Sequence, residues 1–123
     1  MKKIVREIVS YRCEICATDY PSRKTALECE QRRLEVKQFK IGDMVQSVES
    51  HVCGFSHKLH RPTGHIHKIE GPLPSDDDTE LRWLGGQPDR INGHVFLYHI
   101  RYACGRCGRK KETQFWAPEI RKT

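Results

Sequence analysis

Two Cys-x2-Cys pairs, Cys13-Glu-Ile-Cys16 and Cys104-Gly-Arg-Cys107, lie near opposite ends of the chain, and Cys29 follows Cys16 after twelve residues. A Cys-x2-Cys turn holds two thiolates one metal-ligand span apart, so a tetrahedral ion takes two corners from each pair and ties distant segments together. The layout reads as zinc. With 123 residues, 37% of them hydrophobic, the chain has a thin apolar interior, and small cores need staples. Disulfides are the other kind of staple. Arg6 and Glu7 interrupt the apolar residues at the N-terminus, so no secretory leader is expected and a reducing, cytoplasmic setting follows, where metal outranks disulfide. No stretch approaches the roughly 20 apolar residues of a membrane helix, so no membrane partner is expected.

Ser22 is a good N-cap, and residues 23 to about 37 contain no Gly or Pro and many helix formers, which predicts one helix with Ala26, Leu27, Cys29 or Glu30, and Leu34 on roughly one face. The β-branched residues Ile4, Val5, Ile8 and Val9 predict a strand over residues 3–12 that feeds the first cysteine pair. Short strands follow. The segment from Ile41 to Val45 reads as a tight turn opening a strand, and residues 63–70 as a strand closed by Gly71-Pro72. Residues 71–93 predict a long loop with a short turn around Leu81 to Leu84. His94 to Tyr102 alternates best, with Phe96, Tyr98, Ile100 and Tyr102 on one face. No internal repeat is evident.

The stretch Tyr11-Arg-Cys13-Glu-Ile-Cys16, with Cys29 beyond it, resembles the start of a zinc finger of the knuckle-plus-helix type, over about residues 11–34. The resemblance implies Cys13, Cys16 and Cys29 as ligands. It departs at the fourth position, where Arg32, Arg33 and Leu34 stand in place of a His or Cys, so a fourth ligand must come from elsewhere in the fold. Cys104-Gly-Arg-Cys107-Gly108 resembles a zinc-ribbon knuckle, Gly108 permitting the backbone turn that aims amide hydrogens at the thiolates. Its other half has two sources. One is Cys13 with Cys16, giving one four-cysteine site; the other is Cys53-x3-His57 with His51 or His60 nearby, giving two ions. The spacing slightly favours Cys13, Cys16, Cys104 and Cys107 around a single ion. No carboxylate stands at a recognisable spacing from the histidines to serve a catalytic metal as general base.

The ordered run Gly42-Asp43-Met-Val45, Gly64-His-Ile66, Tyr98-His-Ile100-Arg-Tyr102 and Pro118-Glu119-Ile120 resembles SH3-like barrels of the Tudor and KOW type, over about residues 39–121. The fold expected is therefore mainly β with one helix (α+β). Residues 1–38 form a zinc knuckle and helix, packed on an SH3-like barrel of residues 39–123 that carries a zinc-knuckle hairpin. The family binds nucleic acid, ribosomes, transcription complexes or other proteins, and is rarely catalytic.

The formal net charge of +6 biases the partners towards polyanions. Arg32 and Arg33 belong to one basic segment, and Arg106, Arg109, Lys110 and Lys111 to another. Among the aromatics, Tyr98 and Trp116 alternate into the expected core, whereas Trp83 stands in a polar loop and is expected to be exposed for stacking or docking. These features predict a non-enzymatic, zinc-stabilised protein that binds DNA or RNA through phosphate contacts. The rival is an adaptor or inhibitor docking on a host protein or nucleoprotein complex, since short chains of this kind resemble phage or mobile-element accessory proteins. In that reading the interface is built from Asp76 to Asp78 with Trp83. No phosphate loop, nucleophile elbow or readable pair of carboxylates points to a reaction.

Overall fold

The computed structural model describes residues 9–88 and 90–123. Most of the strand expected over residues 3–12 lies outside the described residues; within them only β1 (Tyr11–Arg12) is seen, paired antiparallel with β2 (Asp19–Tyr20). The helix α1 (Arg23–Glu30) starts after Ser22 as expected and stops seven residues early. The reason is tertiary. The Arg33 carbonyl accepts from the His94 amide at 2.6 Å and the Glu35 amide donates to the His94 carbonyl at 2.8 Å, which requires extended backbone where the helix would have continued.

The centre is a five-stranded antiparallel sheet in the order β8-β7-β6-β3-β9, formed by β3 (Met44–Ser47), β6 (Thr63–Pro74), β7 (His94–Ala103), β8 (Lys110–Trp116) and β9 (Ile120–Lys122). A 3-10 turn, Ala117–Glu119, precedes the last strand. The molecule is mainly β, of the α+β class. A two-stranded ribbon, β4 (His51–Val52) with β5 (Leu59–His60), stands between β3 and β6. Among the described residues no helix is long and apolar enough to cross a membrane.

The inward set Phe39, Val45, Ile66, Phe96, Tyr98, Ile100, Phe115, Ala117 and Ile120 forms the core. A register shift between Ile66 and Lys68 explains why Ile66 and Ile69 both pack inward, because one extra residue in a strand reverses the alternation after it. Trp116, expected inside, is half-buried. Phe115 takes that place because the register sets it opposite Tyr98. Gly64 allows the close approach of β6 to β7, since a Cβ there would lie 2.1 Å from the Arg101 carbonyl oxygen.

The expected long loop is partly ordered. β6 continues through the cis Gly71-Pro72 bond to Pro74, and α2 (Asp77–Arg82) follows, capped by the Asp76 carboxylate on the Asp78 and Thr79 amides. Beneath it lies a buried ionic triad. Arg90 donates to Glu80 with Nε at 2.7 Å and Nη2 at 2.9 Å, and its Nη1 donates to Glu35. All three side chains are at most 6% exposed. Burial, with the nearby carboxylates of Asp77 and Asp76, pushes the Glu80 carboxyl up, and burial pushes the Arg90 guanidinium down, a desolvation cost that the hydrogen bonds within the triad offset.

Arg90→Met, which strands two buried carboxylates, is expected to cost about 3–5 kcal/mol in urea unfolding of the metal-loaded protein, and apolar residues of similar volume at Glu35, Glu80 and Arg90 together should recover most of it. An unchanged midpoint for the single variant contradicts this account.

Candidate metal centres

Three segments fold into the same turn. In each, the first cysteine donates its amide to a carbonyl five residues on and accepts at its own carbonyl from the amide four residues on. The distances are Cys13 to Thr18 at 2.9 Å and Ala17 to Cys13 at 2.8 Å; Cys53 to Lys58 at 2.9 Å and His57 to Cys53 at 2.8 Å; Cys104 to Arg109 at 2.9 Å and Gly108 to Cys104 at 2.8 Å. The residue that closes each turn has positive φ: 59° at Ala17, 57° at His57 and 70° at Gly108. The repeat is invisible to cysteine spacing because the middle turn, Cys53-Gly-Phe-Ser56, has serine where the others have their second cysteine.

The first centre gathers Cys13, Cys16, Cys29 and His94, whose ligand atoms lie within 4.8 Å of one another. Cys16 Sγ is 3.6 Å from Cys29 Sγ, and His94 Nε2 is 3.3 Å from Cys29 Sγ and 3.7 Å from Cys13 Sγ. A tetrahedral zinc with bonds of about 2.3 Å to sulfur and about 2.05 Å to nitrogen has edges of roughly 3.8 Å between sulfurs and roughly 3.6 Å from sulfur to nitrogen. The cluster has those dimensions. α1 supplies Cys29 and steadies the turn, the Glu14 amide donating to Glu30 Oε1 at 3.0 Å. Tyr20 bonds to the Cys29 sulfur, and that contact, with burial, pushes its hydroxyl up to about 12. Burial pushes the Cys29 thiol up to about 11 and the His94 imidazole down. A metal bound here would displace a proton from Cys29 and meet a neutral imidazole.

The second centre gathers Cys53, Cys104 and Cys107, again within 4.8 Å. The Cys53 thiol is held down at about 5 by hydrogen bonds from the Ser56 side chain and amide and from the Phe55 amide, as a metal ligand should be. The two turns are clamped from outside. Arg106 Nε donates to the Leu59 carbonyl at 3.1 Å, and the Arg109 guanidinium lies 3.5 Å from the centre of the Phe55 ring.

The cysteines thus divide differently from the single four-cysteine site favoured by spacing. Cys13 and Cys16 meet Cys29 and His94, while Cys104 and Cys107 meet Cys53, because β7 runs between the two groups. Ten residues at about 3.3 Å each put its ends on the order of 30 Å apart. His57 is outside both clusters; it occupies the positive-φ position of its turn and is exposed. His51 turns to Ser47 Oγ at 3.0 Å and stacks edge-on against Phe115. His94 escaped the sequence reading because it looks like the first residue of an alternating strand. Its one signal was the unfilled fourth position of the first knuckle.

The basic residues fall into two groups at opposite ends of β7. Arg32, half-buried, and Arg33, exposed, follow α1 beside the first centre. Arg106, Arg109 and Lys110 are exposed and Lys111 half-buried at the second. There an open groove of about 650 Å³ is lined by Arg101, Lys110 and Lys111, with His65, Tyr102 and Glu112. Among the described residues neither Lys110 nor Lys111 is in an ion pair. Trp83 is 78% exposed, as expected of its loop. Compared with family models, curated proteins and solved structures, the chain has no match in any of the three.

His94→Ala or Cys29→Ser is expected to remove one metal equivalent and abolish cooperative thermal unfolding of the N-terminal unit, read by metal analysis and by exchange of the Cys13 and Glu35 amides. Retention of full metal content would show that the first centre is drawn wrongly.

Proposed function

We propose that this is a non-enzymatic, zinc-stabilised module that binds DNA or RNA, with zinc building the scaffold and the groove beside the second knuckle pair contacting phosphates. The observation that carries the reading is the groove itself, which Arg101, Lys110 and Lys111 line together with Tyr102, His65 and Glu112, the last paired with Arg101 at 3.9 Å. Unpaired ammonium groups beside an aromatic ring suit a backbone phosphate and a stacked base. An SH3-like barrel is part of the same proposal. The order β8-β7-β6-β3-β9, with a 3-10 turn before the last strand, supports it. Both thiolate clusters suit zinc, a borderline-soft ion that takes sulfur and imidazole in a tetrahedron.

Arg106 and Arg109 serve the clamp between the two turns, so their replacement confounds binding with folding. Lys110 and Lys111 are the cleaner probes. A second reading rests on Trp83, whose exposed ring borders a cleft formed with Val48, Leu84 and Pro118, and fits docking on a host protein or nucleoprotein complex.

Lys110→Glu with Lys111→Glu is expected to leave metal content unchanged, to weaken binding to a nucleic-acid panel at low salt by more than tenfold, and to flatten the slope of log K against log salt by about 2. Unchanged affinity and slope, with activity lost instead in Trp83→Ala, would transfer the function to the docking reading.

A further inference from the structure

The second centre presents three sulfurs to an ion that requires four ligands. Its incomplete corner has a definite origin in the chain, since Ser56 occupies the position that Cys16 and Cys107 hold in the sister turns. The Ser56 amide, at 3.5 Å from Cys53 Sγ, is spent on that sulfur, as a knuckle amide should be. Three groups remain to fill the corner: the Ser56 hydroxyl, a water, or an imidazole.

We propose that His60 completes the second centre, making it a Cys3His site of the same composition as the first; this rests on the two-centre zinc reading. His60 ends β5, the outgoing strand of the turn that begins at Cys53, and its Nε2 is already 3.9 Å from Cys104 Sγ. That is a few tenths of an ångström beyond the sulfur-to-nitrogen edge of roughly 3.6 Å expected for a tetrahedral zinc. The imidazole is half-buried and packs beside Tyr102 with ring centres 6.2 Å apart, so it sits on the protein side of the cluster. It lies outside the mutual 4.8 Å reach of the three sulfurs, so completing the tetrahedron requires its side chain to turn towards Cys53 and Cys107. The other nearby histidines are spoken for by geometry. His57 projects from the positive-φ position and His51 faces Ser47. In this arrangement all six cysteines and one histidine at each end of β7 hold metal, and each centre joins two segments distant in sequence.

The test is a Co(II) titration of the metal-free full chain under anaerobic conditions, following the ligand-field and thiolate charge-transfer bands, for the wild type and for His60→Ala, His60→Cys and Ser56→Ala. The expected results are two equivalents in the wild type, a loss of more than about a hundredfold in affinity at one of the two sites in His60→Ala, and in Ser56→Ala, which removes a hydrogen bond to Cys53, two equivalents with wild-type bands and at most about a tenfold loss at that site. His60→Cys should regain tight binding with a seventh thiolate added to the charge-transfer intensity. The intact first site in His60→Ala reports that the chain still folds. Unchanged affinity and bands in His60→Ala would overturn the assignment and leave the corner to water or Ser56. Uptake of a single equivalent by the wild type would instead overturn the two-centre reading on which it stands.

Discussion

His94 is the residue on which the architecture turns. Its amide and carbonyl pair with Arg33 and Glu35, while its imidazole meets sulfurs from the first knuckle and from α1. One side chain thereby fixes an N-terminal unit with little core of its own onto β7, an interior strand of the sheet. A structural zinc contributes on the order of 10 kcal/mol or more, comparable with the whole stability of an ordinary small domain. An apolar interior of nine buried residues, three of them aromatic rings of Phe and one of Tyr, has no surplus to match it. Ions held at the two clusters would decide whether these segments stay together.

The second consequence concerns where charge ends up. Because the thiolate clusters lie beyond the two ends of β7, the basic residues that follow each cluster are separated by the length of that strand. The pair at the α1 end stands apart from the groove at the β7–β8 hairpin. Of these two groups, the second combines ammonium groups that are in no ion pair among the described residues with an aromatic wall. Two arginines of that end are drawn into holding the turns in register, Arg106 on a carbonyl and Arg109 on Phe55. The same residues that look like phosphate contacts in one dimension are partly structural in three.

The buried triad of Glu35, Glu80 and Arg90 shows the same dependence on long-range closure. Its members come from the segment after α1, from α2 and from the turn before β7, so α2 is held down by an ion pair instead of by apolar packing. Its position next to the His94 pairing means that the segment after α1 is anchored twice within three residues, by backbone at Leu34 and by charge at Glu35. That double anchor is what ends the helix early.

Much was legible before any fold was known. Cysteine pairs announced candidate metal ligands, the alternation from His94 to Tyr102 announced β7, and Ser22 announced the start of α1, because each depends on neighbours within a few residues. The early end of α1, the inward place of Phe115 in preference to Trp116, the ordered stretch through Pro74 and α2, and the middle knuckle all depend on partners far along the chain. So does the pairing of thiolates. Spacing determines that two sulfurs can share an ion, but it is indifferent to which other pair or imidazole joins them. By itself the sequence determined the ligand types, the knuckles and the strand that connects them. Only the tertiary structure decided that Cys29 and His94 complete one cluster and Cys53 joins the other, because a ten-residue strand separates the two clusters by more than a single ion can bridge.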